Sequence, residues 1–360
     1  MTGASPVGVG VVGGGFMASV HSRAARAAGA TLVAVASSSP ERSRAAAEQL
    51  GFASAASSVE ELVAHPDVDV VHVCTPNALH AAQAEAVLAA GKHVVCEKPL
   101  ATSVADAERL VGLAEQAGVV ATVPFVYRFY PLVREARARF AAGEMGRIST
   151  VLGSYLQDWL LTADDDNWRV DVTDGGRSRA FGDIGSHLVD LLEFITADRV
   201  VALAASKSTV FGTRGDRPVS TEDAVALTLQ TEGGAIGSLL VSQVAPGRKN
   251  RLHLEIAGAE QTLGLDTEQP ETIWLGRRAG SQLLPRDADQ LAPDAARLCR
   301  VPAGHPMGYQ DAFDAFAADT YAATRGEAPD GLPRFADGLR AGRITQAVLD
   351  SCEQGTWVRL

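Results

Sequence analysis

Over residues 7–123, short apolar runs alternate with alanine-rich segments of helical period, and this alternation limits the fold more than any other feature of the chain. The runs at 7–12, 31–36, 68–74, 93–96 and 119–123 read as strands, and 17–28, 40–50, 60–64, 77–90 and 105–117 as helices. Gly91 and Gly118 directly follow two of these helices and Pro40 opens another, which is the usual start and stop punctuation. Largely apolar strands are covered on both faces, and a helix after each strand favours parallel crossovers. The expectation is a series of β-α-β units in a doubly wound parallel sheet, an α/β fold.

After about residue 125 the rhythm changes. Residues 224–231 and 235–244 pair across Glu-Gly-Gly, and 252–257 and 261–265 across Gly-Ala-Glu, both hairpin signals. A helix over 183–195 is expected to lie on this antiparallel sheet, and 308–325 and 335–352 read as terminal helices. The division expected is a nucleotide-binding domain over 1–125 and an α+β domain over 126–360, with the helix near 335–352 packing back on the first. Residues 277–305, rich in Pro, Arg and Asp, read as a surface excursion.

With a net charge of -11 and no basic stripe, nothing offers a nucleic acid a phosphate-neutralising surface. Four widely spaced cysteines form no C-x-x-C pair, so buried thiols are expected and a metal is not. No 18-residue apolar stretch appears and the N-terminus carries no basic n-region, so no membrane span or leader is expected and the cytoplasm is the expected compartment.

The first strand runs into Gly13-Gly14-Gly15-Phe16-Met17-Ala18, which fits G-x-G-x-x-[GA] between a strand and a helix. Gly13 allows the tight turn, Gly15 admits a pyrophosphate, and the helix start faces the anion, the signature of a Rossmann dinucleotide site. At the end of the second strand stand Ser37 and Ser38, where a carboxylate often binds the ribose, with Arg42 a turn later. That leaves NAD and NADP both open. Two other strand ends carry polar groups: Thr75-Pro76-Asn77 with His80, and Glu97-Lys98-Pro99. Lys98 is one of only four lysines. At a nicotinamide crevice it is a hydrogen-bond donor or proton carrier for a substrate oxygen; elsewhere it is half of a surface Glu–Lys pair. In the second domain Asp183 and His187 stand at i and i+4, either as a carboxylate–imidazole pair for proton transfer or as a helix cap and a core histidine.

Together, "GVVGGGFMASVH", "VDVVHVCTPNALHAAQAEAVLAAGKHVVCEKPLA" and "GDIGSHLVDLLEFI" resemble the Gfo/Idh/MocA oxidoreductases (glucose–fructose oxidoreductase, inositol dehydrogenase and relatives) over essentially the whole chain. The resemblance implies a Rossmann domain, a C-terminal domain with a large open sheet that often forms a homo-oligomer interface, and an NAD or NADP cofactor. It implies a catalytic role for Lys98, Asp183 and His187, with His187 as acid/base and Lys98 polarising the substrate oxygen. "YLQDWLL", "NWR" and "SRAF" are similar to a sugar and cyclitol dehydrogenase branch, which makes Gln157, Asp158, Trp159, Trp168 and Arg169 candidate substrate contacts. Tyr127, Arg128 and Tyr309 are further candidates with competing packing roles. The activity implied is hydride transfer between nicotinamide and a secondary hydroxyl or ketone of a sugar, sugar derivative or cyclitol. An NAD-dependent glycoside hydrolase and a non-catalytic sugar or dinucleotide sensor are the alternatives.

Overall fold

A computed structural model describes residues 5–360. They form two compact units: one running to Val126 and including Tyr309–Arg340, the other comprising Tyr127–Gly308 and Ala341–Leu360. No helix among the described residues is long and apolar enough to cross a membrane.

The first unit alternates as its sequence does: β1 (Gly8–Val12), α1 (Phe16–Ala27), β2 (Thr31–Ala36), α2 (Pro40–Leu50), β3 (Ser54–Ala56), α3 (Val59–Ala64), β4 (Val70–Val73), α4 (His80–Ala89), β5 (His93–Cys96), α5 (Val104–Ala117) and β6 (Ala121–Thr122). The order is β3-β2-β1-β4-β5-β6, and every pairing is parallel. The apolar runs are buried because helices cover them; Val9, Val11, Val71, Val94 and Val95 have no exposed surface. Ser39, Ser58 and Ser103 cap α2, α3 and α5, each accepting a hydrogen bond from a first-turn backbone N–H. The chain order reverses at β1 and β4, where ligands collect in open α/β sheets.

The second unit begins with α6 (Pro131–Ala141), β7 (Ile148–Leu156), the short α7 (Val172–Gly175) and α8 (Ser186–Thr196). Strands follow: β8 (Val200–Ser208), β9 (Thr213–Arg214), β10 (Arg217–Pro218), β11 (Ala224–Thr231), β12 (Ile236–Ser242), β13 (Arg251–Gly258), β14 (Thr262–Asp266), β15 (Thr272–Arg277) and β16 (Gly280–Pro285). Then come α9 (Pro293–Ala296), α10 (Tyr309–Thr324), which belongs to the first unit, α11 (Phe335–Gln354), which both units share, and β17 (Val358–Arg359). The sheet order is β16-β15-β14-β13-β7-β12-β11-β8-β17, antiparallel throughout except between β7 and β12. Period-two burial is clear in β11, where Val225, Leu227, Leu229 and Thr231 point inward. Val225, Leu227 and Leu229 share one core with Leu188, Leu191 and Leu192 of α8. On the opposite face Leu152, Ile236 and Leu240 are exposed.

The helix that joins the first unit whole is α10, because Phe313, Phe316 and Tyr321 give it a fully buried aromatic stripe; the boundary of the units falls inside α11. Strands β7 and β8 were not separable in the sequence, since Gly153 interrupts one and alanines dilute the other. The stretch 277–305 begins with the hairpin of β15 and β16, whose last strand is mostly exposed. Beyond it, buried Arg286 donates to Glu271 at 2.8 Å and to the carbonyl of Val301 at 3.0 Å, tying the loop down.

Candidate active site

Gly13 has φ +113°, and a Cβ there would lie 2.6 Å from the Cys74 carbonyl oxygen, so only glycine fits where β1 leaves the sheet. Gly15 precedes α1 in extended conformation, provides no side-chain cap, and has open space where a Cβ would be. The first turn of α1, with Phe16 and Met17, has no acidic residue, and Phe16 is 74% exposed. Backbone N–H groups without a capping side chain, beside an unobstructed backbone, suit a pyrophosphate. Around the ribose position, Ser37 donates its N–H to Ser43 Oγ at 2.8 Å and Arg42 Nη1 donates to Ser38 Oγ at 3.0 Å.

Strands β4 and β5 are in parallel register, Val73 beside Cys96, so residues 74–77 and 97–99 emerge together at the carboxyl edge. His80 at the start of α4 ties these loops: Nδ1 is 2.7 Å from the Pro99 carbonyl oxygen and Nε2 is 2.9 Å from that of Thr75. Burial holds its pKa below the ordinary value despite both carbonyls. Thr75 turns its hydroxyl to Gln83, 2.5 Å away, and Asn77 is buried just after Pro76. Glu97 is buried; Oε1 lies 3.0 Å from His21 Nε2 and Oε2 accepts from the Lys98 N–H at 3.0 Å. Burial pushes this carboxyl up, but the hydrogen bond from His21, with the Lys98 charge behind it, outweighs burial and holds its pKa below the usual carboxylate range. Glu97 therefore braces the turn that presents Lys98, whose bond to Pro99 is cis.

In the second unit, residues Phe181–Gly185 form a π turn, Ser186 N–H bonding back to Phe181 O, before α8 begins. Asp183 sits on this turn and caps no helix. Its Oδ2 accepts from Gln243 Nε2 at 2.9 Å, and Arg169 Nε is 3.4 Å from Oδ1. A π turn inside a helix is rare and often marks a functional position. His187 is 8% exposed, with its ring edge-on to Tyr127 at 5.2 Å and tilted against Tyr155 at 6.5 Å. The tyrosine hydroxyls are 2.5 Å apart, and Asn250 Nδ2 donates to Tyr127 at 3.0 Å. The row continues from Asn250 Oδ1, which accepts from Gln157 Nε2 at 2.7 Å, to Gln157 Oε1, which accepts from Trp159 Nε1 at 2.8 Å. Burial raises the Tyr127 phenol pKa, so it stays a hydrogen-bond donor at neutral pH.

The remaining candidates divide. Arg169 lies over the Trp168 ring at 4.3 Å as well as beside Asp183. Asp158 is engaged by Lys249 Nζ at 2.7 Å and the Gly247 N–H at 3.1 Å. Arg128 is buried, with its guanidinium forked onto Asp190 and its face on Phe194, an internal ion pair. Tyr309 opens α10 in the first unit and packs on Phe313. Sequence reasoning missed Gln243, Asn250 and Tyr155, which the sheet and a loop bring to the cluster; no local pattern marks them.

A Rossmann unit with this glycine turn, joined to an open-sheet unit carrying a partly buried carboxylate and a buried imidazole, defines a nicotinamide-dependent oxidoreductase. Residues 7–125 match the description "Oxidoreductase family, NAD-binding Rossmann fold", and residues 133–264 match "GFO/IDH/MocA C-terminal domain". The chain belongs to the Gfo/Idh/MocA family. It is 31% identical to levoglucosan dehydrogenase of Pseudarthrobacter phenanthrenivorans, with 97% of each chain covered. A solved structure of levoglucosan dehydrogenase in complex with NADH and levoglucosan superposes with TM-score 0.92 at 29% identity, covering 99% of both chains. An inositol dehydrogenase homolog from Azotobacter vinelandii, complexed with NAD+, gives 0.90 at 29% identity, covering 99% of this chain and 98% of that one.

Proposed function

We propose that this oxidoreductase moves a hydride between NAD and a secondary carbinol or ketone of a sugar, anhydrosugar or cyclitol. The observation that carries the reading is the Asp183–His187 cluster, a buried imidazole beside hydrogen-bonding tyrosines with its helix start held by Gln243 and Arg169. Bound nicotinamide supplies the hydride acceptor or donor. The chain's own groups manage the oxygen and its proton. His187 takes the hydroxyl proton on oxidation and returns it on reduction, Lys98 polarises the oxygen, and Asp183 orients the imidazole's helix turn. Gln157, Trp159, Trp168 and Arg169 suit a polyol, with amide and guanidinium groups for hydroxyls and indoles for C–H faces.

A screen of levoglucosan, related sugars and myo-inositol with NAD and NADP in parallel tests the reading. Expected are net reduced cofactor with one group of polyols and a loss of at least about a hundredfold in kcat/KM for His187→Ala and for Lys98→Ala. Variants retaining activity within severalfold of wild type refute the role of these residues. Glycoside cleavage without net reduced cofactor points instead to transient oxidation. The exposed Leu152, Ile236 and Leu240 support a second part of the proposal, a homo-oligomer through the open sheet, working in the cytoplasm where nicotinamide pools lie. Light scattering that finds a monomer for wild type at micromolar concentration refutes the oligomer.

A further inference from the structure

Behind the Lys98 turn, four buried side chains from four elements join in a row. Glu97 follows β5, His21 lies on α1, His72 on β4 and Tyr321 on α10. The links are Glu97 Oε1 to His21 Nε2 at 3.0 Å, His21 Nδ1 to His72 Nδ1 at 2.8 Å, and His72 Nε2 to the Tyr321 hydroxyl at 2.9 Å. His21, His72 and Tyr321 are each 1% exposed and Glu97 6%, so the row lies out of reach of bulk solvent. Phe313, two turns before Tyr321 on α10, packs edge-on to His21 with ring centroids 5.1 Å apart.

Bookkeeping of donors decides the direction. A carboxylate only accepts, so Glu97 requires the proton of His21 on Nε2. A neutral His21 then accepts at Nδ1, His72 donates from Nδ1 and accepts at Nε2, and Tyr321 donates its phenol proton at the far end. Every ring nitrogen and the phenol proton are satisfied. One added proton, on Glu97 or on His21, reverses the two later links: His72 donates from Nε2 to the phenol oxygen, and the buried phenol proton loses its acceptor. An unpaired buried donor is costly, so Tyr321 selects the first arrangement. Burial lowers the His72 pKa well below its ordinary value, in keeping with a neutral ring.

We propose that Tyr321, His72 and His21 form a one-way hydrogen-bond relay that keeps Glu97 an anion, and through its bond to the Lys98 N–H fixes the turn presenting Lys98. Tyr321 and His72 are thus positioning residues. The catalytic consequence rests on the role proposed above for Lys98; the relay itself does not.

The test uses the full chain with selectively 15N-labelled histidine, with resonances assigned by single His→Gln variants. Two-bond correlations at pH 7 are expected to show His21 protonated on Nε2 and His72 on Nδ1. In Glu97→Gln the amide oxygen keeps the Lys98 N–H and the amide nitrogen must donate to His21. Both tautomers then exchange, the His72 proton moving to Nε2. Hydrogen exchange of the 96–100 segment is expected to rise at least about tenfold in Glu97→Gln and in Tyr321→Phe, with α5 unchanged. A wild-type His72 protonated on Nε2, unaltered tautomers in Glu97→Gln, or unchanged exchange at 96–100 in both variants overturns the relay. If turnover has been found, Tyr321→Phe should lower kcat about fivefold or more while NADH affinity, read by fluorescence titration, stays within twofold. An unchanged kcat with the relay's signatures intact overturns its link to catalysis. If wild type turns over no polyol, the function reading fails while the tautomers still decide the relay.

Discussion

Asp223 offers the most quantitative test of how the loop between Trp159 and Trp168 is held. Its side chain is fully buried, as are those of Arg179 and Arg214, which both reach its Oδ1, the latter at 2.8 Å. Oδ2 accepts from the Val210 N–H at 2.7 Å and the Phe211 N–H at 3.2 Å. Arg214 in turn donates to the carbonyls of Leu160 at 2.8 Å, Thr162 at 2.6 Å and Asp165 at 2.9 Å, pinning the loop that links Trp159 to Trp168. Asp223→Asn keeps the shape and removes the charge. Glu222, whose Oε1 already accepts from Ser178, Arg179 N–H and Phe181 N–H, cannot move to replace it. Breaking a buried ion pair by neutralising one partner costs about 3–5 kcal/mol. For a unit of roughly two hundred residues, at about 2–4 °C per kcal/mol, that is a Tm fall on the order of 10 °C. All four tryptophans lie in the second unit, at 159, 168, 274 and 357, so urea titration followed by tryptophan fluorescence reads that unit alone. A raised KM for the polyol with little change in NADH affinity is expected as well. A loss under about 1 kcal/mol with KM unchanged would show that Asp223 does not organise the loop.

Three further outcomes follow. Gly13→Ala places a methyl against the Cys74 carbonyl at positive φ, so NADH affinity should fall at least about tenfold; unchanged affinity removes the glycine turn from the cofactor site. His72 and His80 are held neutral chiefly by burial, so below about pH 6.5 the unfolded state binds protons that the folded state does not. Stability is therefore full above that pH and is lost as pH falls, at up to about 1.4 kcal/mol per pH unit for each ring. A flat urea midpoint for the first unit, read by circular dichroism from pH 6.5 to 5.5, contradicts it. Leu240→Asp on the open sheet face should leave the fold intact and give monomers in light scattering if that face carries the oligomer.

The sequence by itself determined the first unit and the local chemistry of the candidate site. The β-α-β order of residues 7–123, the glycine turn and the two polar strand ends are all contained in short stretches, because parallel strands and helix starts are written in local apolar period and turn residues. Asp183 and His187 were legible as a pair for the same reason, one helix turn apart. That Asp183 lies on a π turn was not, since an extra residue per turn leaves the spacing unchanged. What only the tertiary structure decided is who holds these groups. Gln243, Asn250 and Tyr155 meet the site from strands and a loop far away in sequence, and Arg128 is spent on Asp190, 62 positions on. Glu97 was ambiguous as a letter beside Lys98. It became a brace once α1 brought His21 to it, and helix α10, from the other end of the chain, set Tyr321 on His72. Hydrogen bonds between buried groups depend on sub-ångström placement by packing, and a sequence records the donors and acceptors but not which of them meet.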